Sequence, residues 1–137
     1  MATIYDVDAS KLIDKASSRL KELVKAPGFT NYVKTGHSKE RPPAEKDWYY
    51  KRLASVLRAV YVRGPIGTNR LRTKYGSRKN RGMAEERSYK GAGKVVRIAL
   101  QELERLGFIK QVEKGIHKGR IITPKGKSFL DKLAKEK

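Results

Sequence analysis

Apolar side chains recur at helical spacing in three long stretches of this chain. The stretches run from Leu12 to Val24, from Trp48 to Tyr61 and from Ala92 to Leu106, and glycine or proline follows each of them closely. Asp8 and Asp47 are suitable N-caps for the first two stretches. The pattern therefore predicts three amphipathic helices, each of which buries one side and exposes the other.

Shorter elements are predicted between and after these helices. A brief helix is expected over Asn69–Tyr75, and two β-prone segments, Phe108–Glu113 and Arg120–Thr123, flank a basic turn bounded by glycines. Pro124 then occupies the first position of a final helix. The order of helix, short helix, long helix and hairpin is that of a winged helix. We therefore expect a mainly α, winged-helix-like helical domain with a small β-hairpin wing and additional N- and C-terminal helices.

The whole chain, residues 1–137, is expected to form a single domain, because its length suits one core.

Residues 77–93 are basic, contain three glycines and have no apolar period, so they are predicted to form a long mobile loop. Tyr75 and Tyr89 flank this loop and bring rings that can stack on bases. The path of residues 26–46 does not follow from their pattern.

Charge narrows the choice of partner. The chain carries 33 lysines and arginines against 14 aspartates and glutamates, a formal net charge of +19 on 137 residues. Such an excess is offset when a polyanion binds, and nucleic acid is the default candidate. The cationic side chains that we expect to contact it are Arg52, Arg58, Arg70, Arg72, Lys74, Arg78, Lys79, Arg81, Arg87, Lys90, Lys94, Arg97, Lys118 and Arg120. The glycine- and arginine-rich loop favours RNA over DNA.

Catalysis, metals and membranes find little support in the sequence. Cysteine is absent, His37 and His117 are isolated in polar segments, and no phosphate-binding G-x-x-x-x-G-K-[ST] motif occurs. No apolar run approaches the roughly 20 residues that span a bilayer. We therefore expect a cytosolic protein without catalytic residues, metal or cofactor, monomeric when free, whose partner is RNA. A winged-helix DNA-binding regulator and a protein-interaction module are the alternatives, although the second leaves the charge unexplained.

Two groups of residues resemble a known family. The first is Asp47-Trp48-Tyr49-Tyr50 with Arg52, Ala54-Ser55, Arg58, Tyr61, Gly64, Gly67 and Tyr75-Gly76. The second is Val96-Arg97, Leu100-Gln101 and Leu103-Glu104 with Gly119-Arg120, Thr123-Pro124 and Gly126. Together they resemble the archaeal and eukaryotic family of small-subunit ribosomal protein nineteen, which bacteria lack, and the likeness extends from about Tyr32 to Leu133.

This resemblance implies a winged-helix-like structural protein in the head of the small ribosomal subunit. It also implies ribosomal RNA (rRNA) and neighbouring ribosomal proteins as partners, a need for the protein in subunit maturation, and no catalytic activity. The family pattern gives an rRNA-facing role to Arg52, Arg58 and Arg97 and to the basic loop, whereas Trp48 and Tyr61 are expected to support the scaffold. The abundance of Lys, Arg and Glu is typical of an archaeal version.

Overall fold

The long helices predicted from periodicity are confirmed in a computed structural model, which describes residues 3–114 and 116–136. In chain order the elements are α1 (Ala9–Leu23), a 3-10 helix (Gly28–Asn31), α2 (Trp48–Arg63), α3 (Thr68–Lys74), β1 (Ser77–Arg81), β2 (Ala84–Tyr89), α4 (Gly93–Arg105), β3 (Ile109–Lys114), β4 (His117–Ile122) and α5 (Pro124–Lys135). The mainly helical, winged-helix-like fold class is therefore confirmed.

Side chains fix the starts of the first and last helices. The Asp8 carboxylate accepts a hydrogen bond from the Ser10 N–H at 3.3 Å, and the Thr123 hydroxyl accepts one from the Gly126 N–H at 3.3 Å. Asp47 stands at the predicted N-cap of α2, but its carboxylate accepts a 2.8 Å hydrogen bond from Lys21 Nζ of α1 instead of capping the helix. Asp47 therefore joins two helices.

Residues from all five helices share one hydrophobic core. α2 contacts α1, α4 and α5, and Leu53 and Leu57 at its centre are fully buried. Leu100 and Leu103 of α4 and Leu130 of α5 are also fully buried. Burying each of these side chains contributes about 1.5–3 kcal/mol. The core therefore holds the outward sides of α2 and α4 in fixed positions.

The wing is the antiparallel pair β3 and β4, as predicted, and a residue before α3 extends it. Ile66 forms an isolated bridge with Arg120, because each backbone N–H donates to the other residue's carbonyl oxygen at 3.1 Å. The neighbouring Gly119 has φ +154°, and an added Cβ would lie 2.9 Å from the backbone of Ile66. Glycine is thus required where the wing crosses Ile66.

The structure differs from the predicted loop at residues 77–93, where β1 and β2 form a second antiparallel hairpin. Neither side of this hairpin packs on the core, so no apolar alternation marks it in the sequence. Lys79 lies directly opposite Arg87, which is an unfavourable pair of like charges. The turn has a local cause, because the Asn80 side chain accepts a hydrogen bond from the Gly82 N–H at 2.9 Å and Gly82 has φ +73°.

Residues 26–46 connect α1 to α2 and pass the base of this second hairpin on the way. The Thr35 carbonyl accepts a hydrogen bond from the Ala92 N–H at 2.9 Å, and the hydroxyls of Ser38 and Ser77 lie 2.6 Å apart. The segment therefore joins the hairpin to the helical core.

Candidate nucleic-acid interface

Four cationic side chains of α2 and α3 are called here the α2–α3 cluster: Arg52, Arg58, Arg63 and Lys74. The positive charges of the three arginines all lower the pKa of Lys74. The Arg52 guanidinium stacks on the ring of Tyr75, with 4.1 Å between Cζ and the ring centroid. The Lys74 ammonium lies 5.4 Å from the same centroid.

The α2–α3 cluster is unfavourable in the isolated protein. Partial burial makes the largest contribution to lowering the pKa of Lys74, followed by the charges of Arg63, Arg58 and Arg52. Burial also lowers the pKa of Arg52. Among the residues that the structure describes, no carboxylate forms an ion pair with any of the four. A polyanion on this surface would relieve the repulsion.

Arg58 differs from the other three cations, because its Nε is buried and has no hydrogen-bond partner among the described residues. A buried donor without a partner costs about 1–3 kcal/mol. Because this atom is out of reach of solvent, the missing hydrogen bond is a cost within the fold and does not indicate an anion site. Arg70 of α3 is exposed and adds a further cation.

The second hairpin carries another group of candidates, none of which is buried. Arg78 lies 4.0 Å from Glu86 across the strands, and Lys79 Nζ lies 3.3 Å from Nε2 of His37. Arg81 Nη1 lies 3.5 Å from the backbone oxygen of Glu85. Arg87 and Lys90 are exposed. The exposed Arg78–Glu86 pair is weak, so these cations remain available to phosphate.

α4 places Lys94 and Arg97 on its exposed side, opposite its buried leucines. Lys94 Nζ lies 4.8 Å from the Phe29 ring centroid. Arg72 of α3 has a different position, because its Nε donates to the Gly91 carbonyl oxygen at 3.1 Å. Arg72 therefore ties α3 to the end of the second hairpin.

The two wing residues that were expected to contact nucleic acid, Lys118 and Arg120, lie in different surroundings. Lys118 is exposed. Arg120 is packed against α4, because its Nε donates to the Glu104 carboxylate at 3.2 Å and its side chain is only 18% exposed. The structure thus gives Arg120 a role in joining the wing to α4.

Replacing Arg120 with alanine is expected to lower the free energy of unfolding by about 1–2 kcal/mol. The change leaves Glu104 unpaired and removes packed methylene groups. Urea denaturation measures the loss, and Lys118→Ala is the matched control, with an expected change within about 0.5 kcal/mol. Equal unfolding midpoints for the two variants would contradict the assigned role.

Sequence reasoning missed Arg63 as a member of the cluster. It lies eleven residues after Arg52, which is about three helical turns, so both project from the same side of α2. This spacing could have identified it. Trp48 and Tyr61 are both anchored by hydrogen bonds, because Trp48 Nε1 donates to the Thr30 carbonyl oxygen at 3.3 Å and the Tyr61 hydroxyl donates to Asp131 at 3.4 Å. The Trp48 side chain also lines a cavity, so anchoring is not its whole part in the structure.

No group of three or more His, Cys, Asp or Glu side chains among the described residues could hold a metal ion. None of the helices in residues 3–114 and 116–136 has the length and apolar character needed to cross a bilayer.

The fold and its cationic surfaces define a winged-helix-like protein with a strongly basic exterior. Comparison with known proteins narrows this class: residues 3–137 match the family described as Ribosomal protein S19e, and the chain belongs to that family. The family is one of ribosomal proteins and is not a class of enzymes.

Individual relatives agree with this family. The chain is 44% identical to Small ribosomal subunit protein eS19 of Aeropyrum pernix, an alignment that covers 99% of this chain and 90% of the relative. It is 37% identical to the protein of the same name in Thermoplasma volcanium, over 99% and 89% of the two chains. The protein of that name in Emericella nidulans is 44% identical over 97% of this chain and 90% of its own length.

Proposed function

We propose that this chain is a structural constituent of the small subunit of the cytoplasmic ribosome, where it binds rRNA in the subunit head and supports subunit maturation. The observation that carries the RNA contact is the α2–α3 cluster, whose four cations have no carboxylate partner among the described residues. Family membership and the names of the relatives support the ribosomal assignment.

Each basic group has its own part in this proposal. The α2–α3 cluster and Arg70 bind phosphates along one strand of rRNA, and the cations of the second hairpin, α4 and Lys118 extend the contact to neighbouring segments. Neutralising these phosphates lets rRNA helices pack closely, which is the contribution to maturation. The chain joins the subunit as a monomer, contacts neighbouring ribosomal proteins there and catalyses no reaction.

Salt dependence tests the RNA contact. We expect the affinity of the purified chain for a fragment of small-subunit rRNA to fall as salt is added. The logarithm of the association constant should fall against the logarithm of the salt concentration with a slope of about −5. Each phosphate contact contributes roughly 0.7–0.9 to the magnitude of this slope, so the value corresponds to about six or seven contacts. Fluorescence anisotropy measures it. A slope near zero would contradict phosphate binding by the basic surfaces.

The second hairpin is proposed to be mobile in the free protein and to gain order on rRNA. A two-stranded hairpin with both faces exposed is only marginally stable in water. Amide hydrogens of residues 77–89 are therefore expected to exchange much faster than those of α4, and to slow when rRNA binds. Hydrogen exchange read by mass spectrometry measures both states. Slow exchange of the hairpin without RNA would contradict this coupling.

A winged-helix DNA-binding regulator is not favoured. The relatives that match nearly the whole chain are named as ribosomal proteins. Duplex DNA of the same length is the direct competitor in the anisotropy assay, and we expect it to displace the rRNA fragment only weakly.

A further inference from the structure

A cavity of about 610 Å³ lies between α2, the end of α3 and the segment of residues 26–46 that connects α1 to α2. Its walls include Trp48, Arg52 and Tyr75 on one side and Lys39, Arg41 and Pro43 on the other. We call it the Trp48 pocket. Its volume is within the roughly 300–1,000 Å³ typical of pockets that take small ligands or parts of larger ones.

The aromatic walls of the Trp48 pocket are held in place by their own contacts. Trp48 donates from Nε1 to the Thr30 carbonyl oxygen at 3.3 Å and packs edge-on against the buried ring of Tyr49. The Tyr75 hydroxyl and the Ser55 hydroxyl lie 2.7 Å apart. The Arg52 guanidinium already covers one face of the Tyr75 ring, so Trp48 is the ring that offers a flat ligand a stacking surface. Because Trp48 is already anchored, stacking on it costs little further side-chain freedom.

The charges around the pocket favour an anion at its mouth. Lys51 is already neutralised, because its Nζ lies 2.7 Å from Glu45 and 3.5 Å from Asp14. Lys39 and Arg41 are exposed at the rim, and neither forms an ion pair with a described carboxylate. A ligand that combines a flat ring with a negative group can stack on the aromatic wall and pair with the cations at the rim.

We propose that the Trp48 pocket takes one unpaired nucleotide of rRNA, with its base against Trp48 and its phosphate held by Lys39 and Arg41. The inference rests on the proposed function, since it names the kind of RNA segment that this protein selects. Bases in helical RNA are already stacked, so the segment is a single strand or a bulge. An acidic peptide would use the rim cations but leave the flat aromatic wall unused.

The chain offers a direct probe, because Trp48 is its only tryptophan. A single-stranded RNA such as octauridylate is expected to quench Trp48 emission as it saturates the full-length protein, because a base stacks on the indole. Inorganic polyphosphate is expected to compete for the cations without this quenching. An RNA hairpin without unpaired bases beyond its tetraloop should quench less than octauridylate at equal saturation.

The rim is tested by the double variant Lys39→Gln with Arg41→Gln. Its affinity for octauridylate is expected to fall about tenfold, because two phosphate contacts are lost. The matched control is Lys11→Gln with Lys132→Gln, which removes two exposed charges on α1 and α5. Far-ultraviolet circular dichroism confirms that both variants are folded.

The outcomes separate this inference from the proposed function. If octauridylate and the rRNA fragment bind but Trp48 emission does not change, the pocket inference is wrong and rRNA binding stands. If neither RNA binds, both fail. If octaglutamate quenches Trp48 more than octauridylate does, the pocket belongs to a protein partner and the inference is overturned.

Discussion

Replacing both Arg58 and Arg63 with glutamate is expected to weaken binding to small-subunit rRNA by about a hundredfold or more at physiological salt. The change removes two cations from the α2–α3 cluster and places two anions against phosphate. The salt slope should also become shallower by about 2. Fluorescence anisotropy across a salt series measures both effects.

Stability provides the necessary check on this variant. The two arginines have no carboxylate partner among the described residues, so their removal breaks no ion pair seen there. Arg63 is exposed, so Arg63→Glu alone should change thermal unfolding little and still weaken rRNA binding. Arg58 is half-buried, so the double variant is compared only at temperatures where circular dichroism shows it folded. Lys11→Glu with Lys132→Glu makes the same change of net charge away from the cluster. If this control weakened rRNA binding as much, net charge would explain the binding and the α2–α3 cluster would have no special role.

Replacing Gly126 with alanine is expected to lower the free energy of unfolding by at least about 2 kcal/mol. Gly126 lies in the first turn of α5, where an added Cβ would overlap the carbonyl oxygen of Phe108 and lie 2.9 Å from Cγ1 of Ile122. Because the nearest obstacle is backbone, α5 must shift away from the wing to accept the methyl group. The helix propensity of alanine offsets only about 1 kcal/mol of this cost.

Gly28→Ala is the matched control for that change. Nothing lies within 4 Å of a Cβ added at Gly28, so its unfolding free energy should stay within about 0.5 kcal/mol of the starting value. Urea denaturation monitored by circular dichroism compares the two. A Gly126→Ala protein as stable as Gly28→Ala would contradict the close packing of α5 on the wing.

The sequence predicted those elements that bury a continuous apolar side. α1, α2, α4 and α5 follow from spacing, since a helix that packs against a core must repeat its apolar residues every three or four positions. The second hairpin was missed because both of its faces are exposed and its strands are held by backbone hydrogen bonds, which any sequence can form.

The candidate site was predicted in composition but not in detail. Charge density identified the cations of α3, the second hairpin and α4, because uncompensated charge is visible in sequence. The pairing of Arg120 with Glu104 and the stacking of Arg52 on Tyr75 depend on how separate elements meet. Such contacts follow from tertiary packing, and local patterns do not contain them.

Sedimentation of the tagged protein from its native cells tests the central claim most directly. Lysates at moderate salt are treated with nuclease to cut messenger RNA and separated on a sucrose gradient. We expect the protein to sediment with free small subunits and whole ribosomes, and to leave them only at high salt. The account would be contradicted if the protein stayed at the top of the gradient at moderate salt and specific DNA co-purified with it.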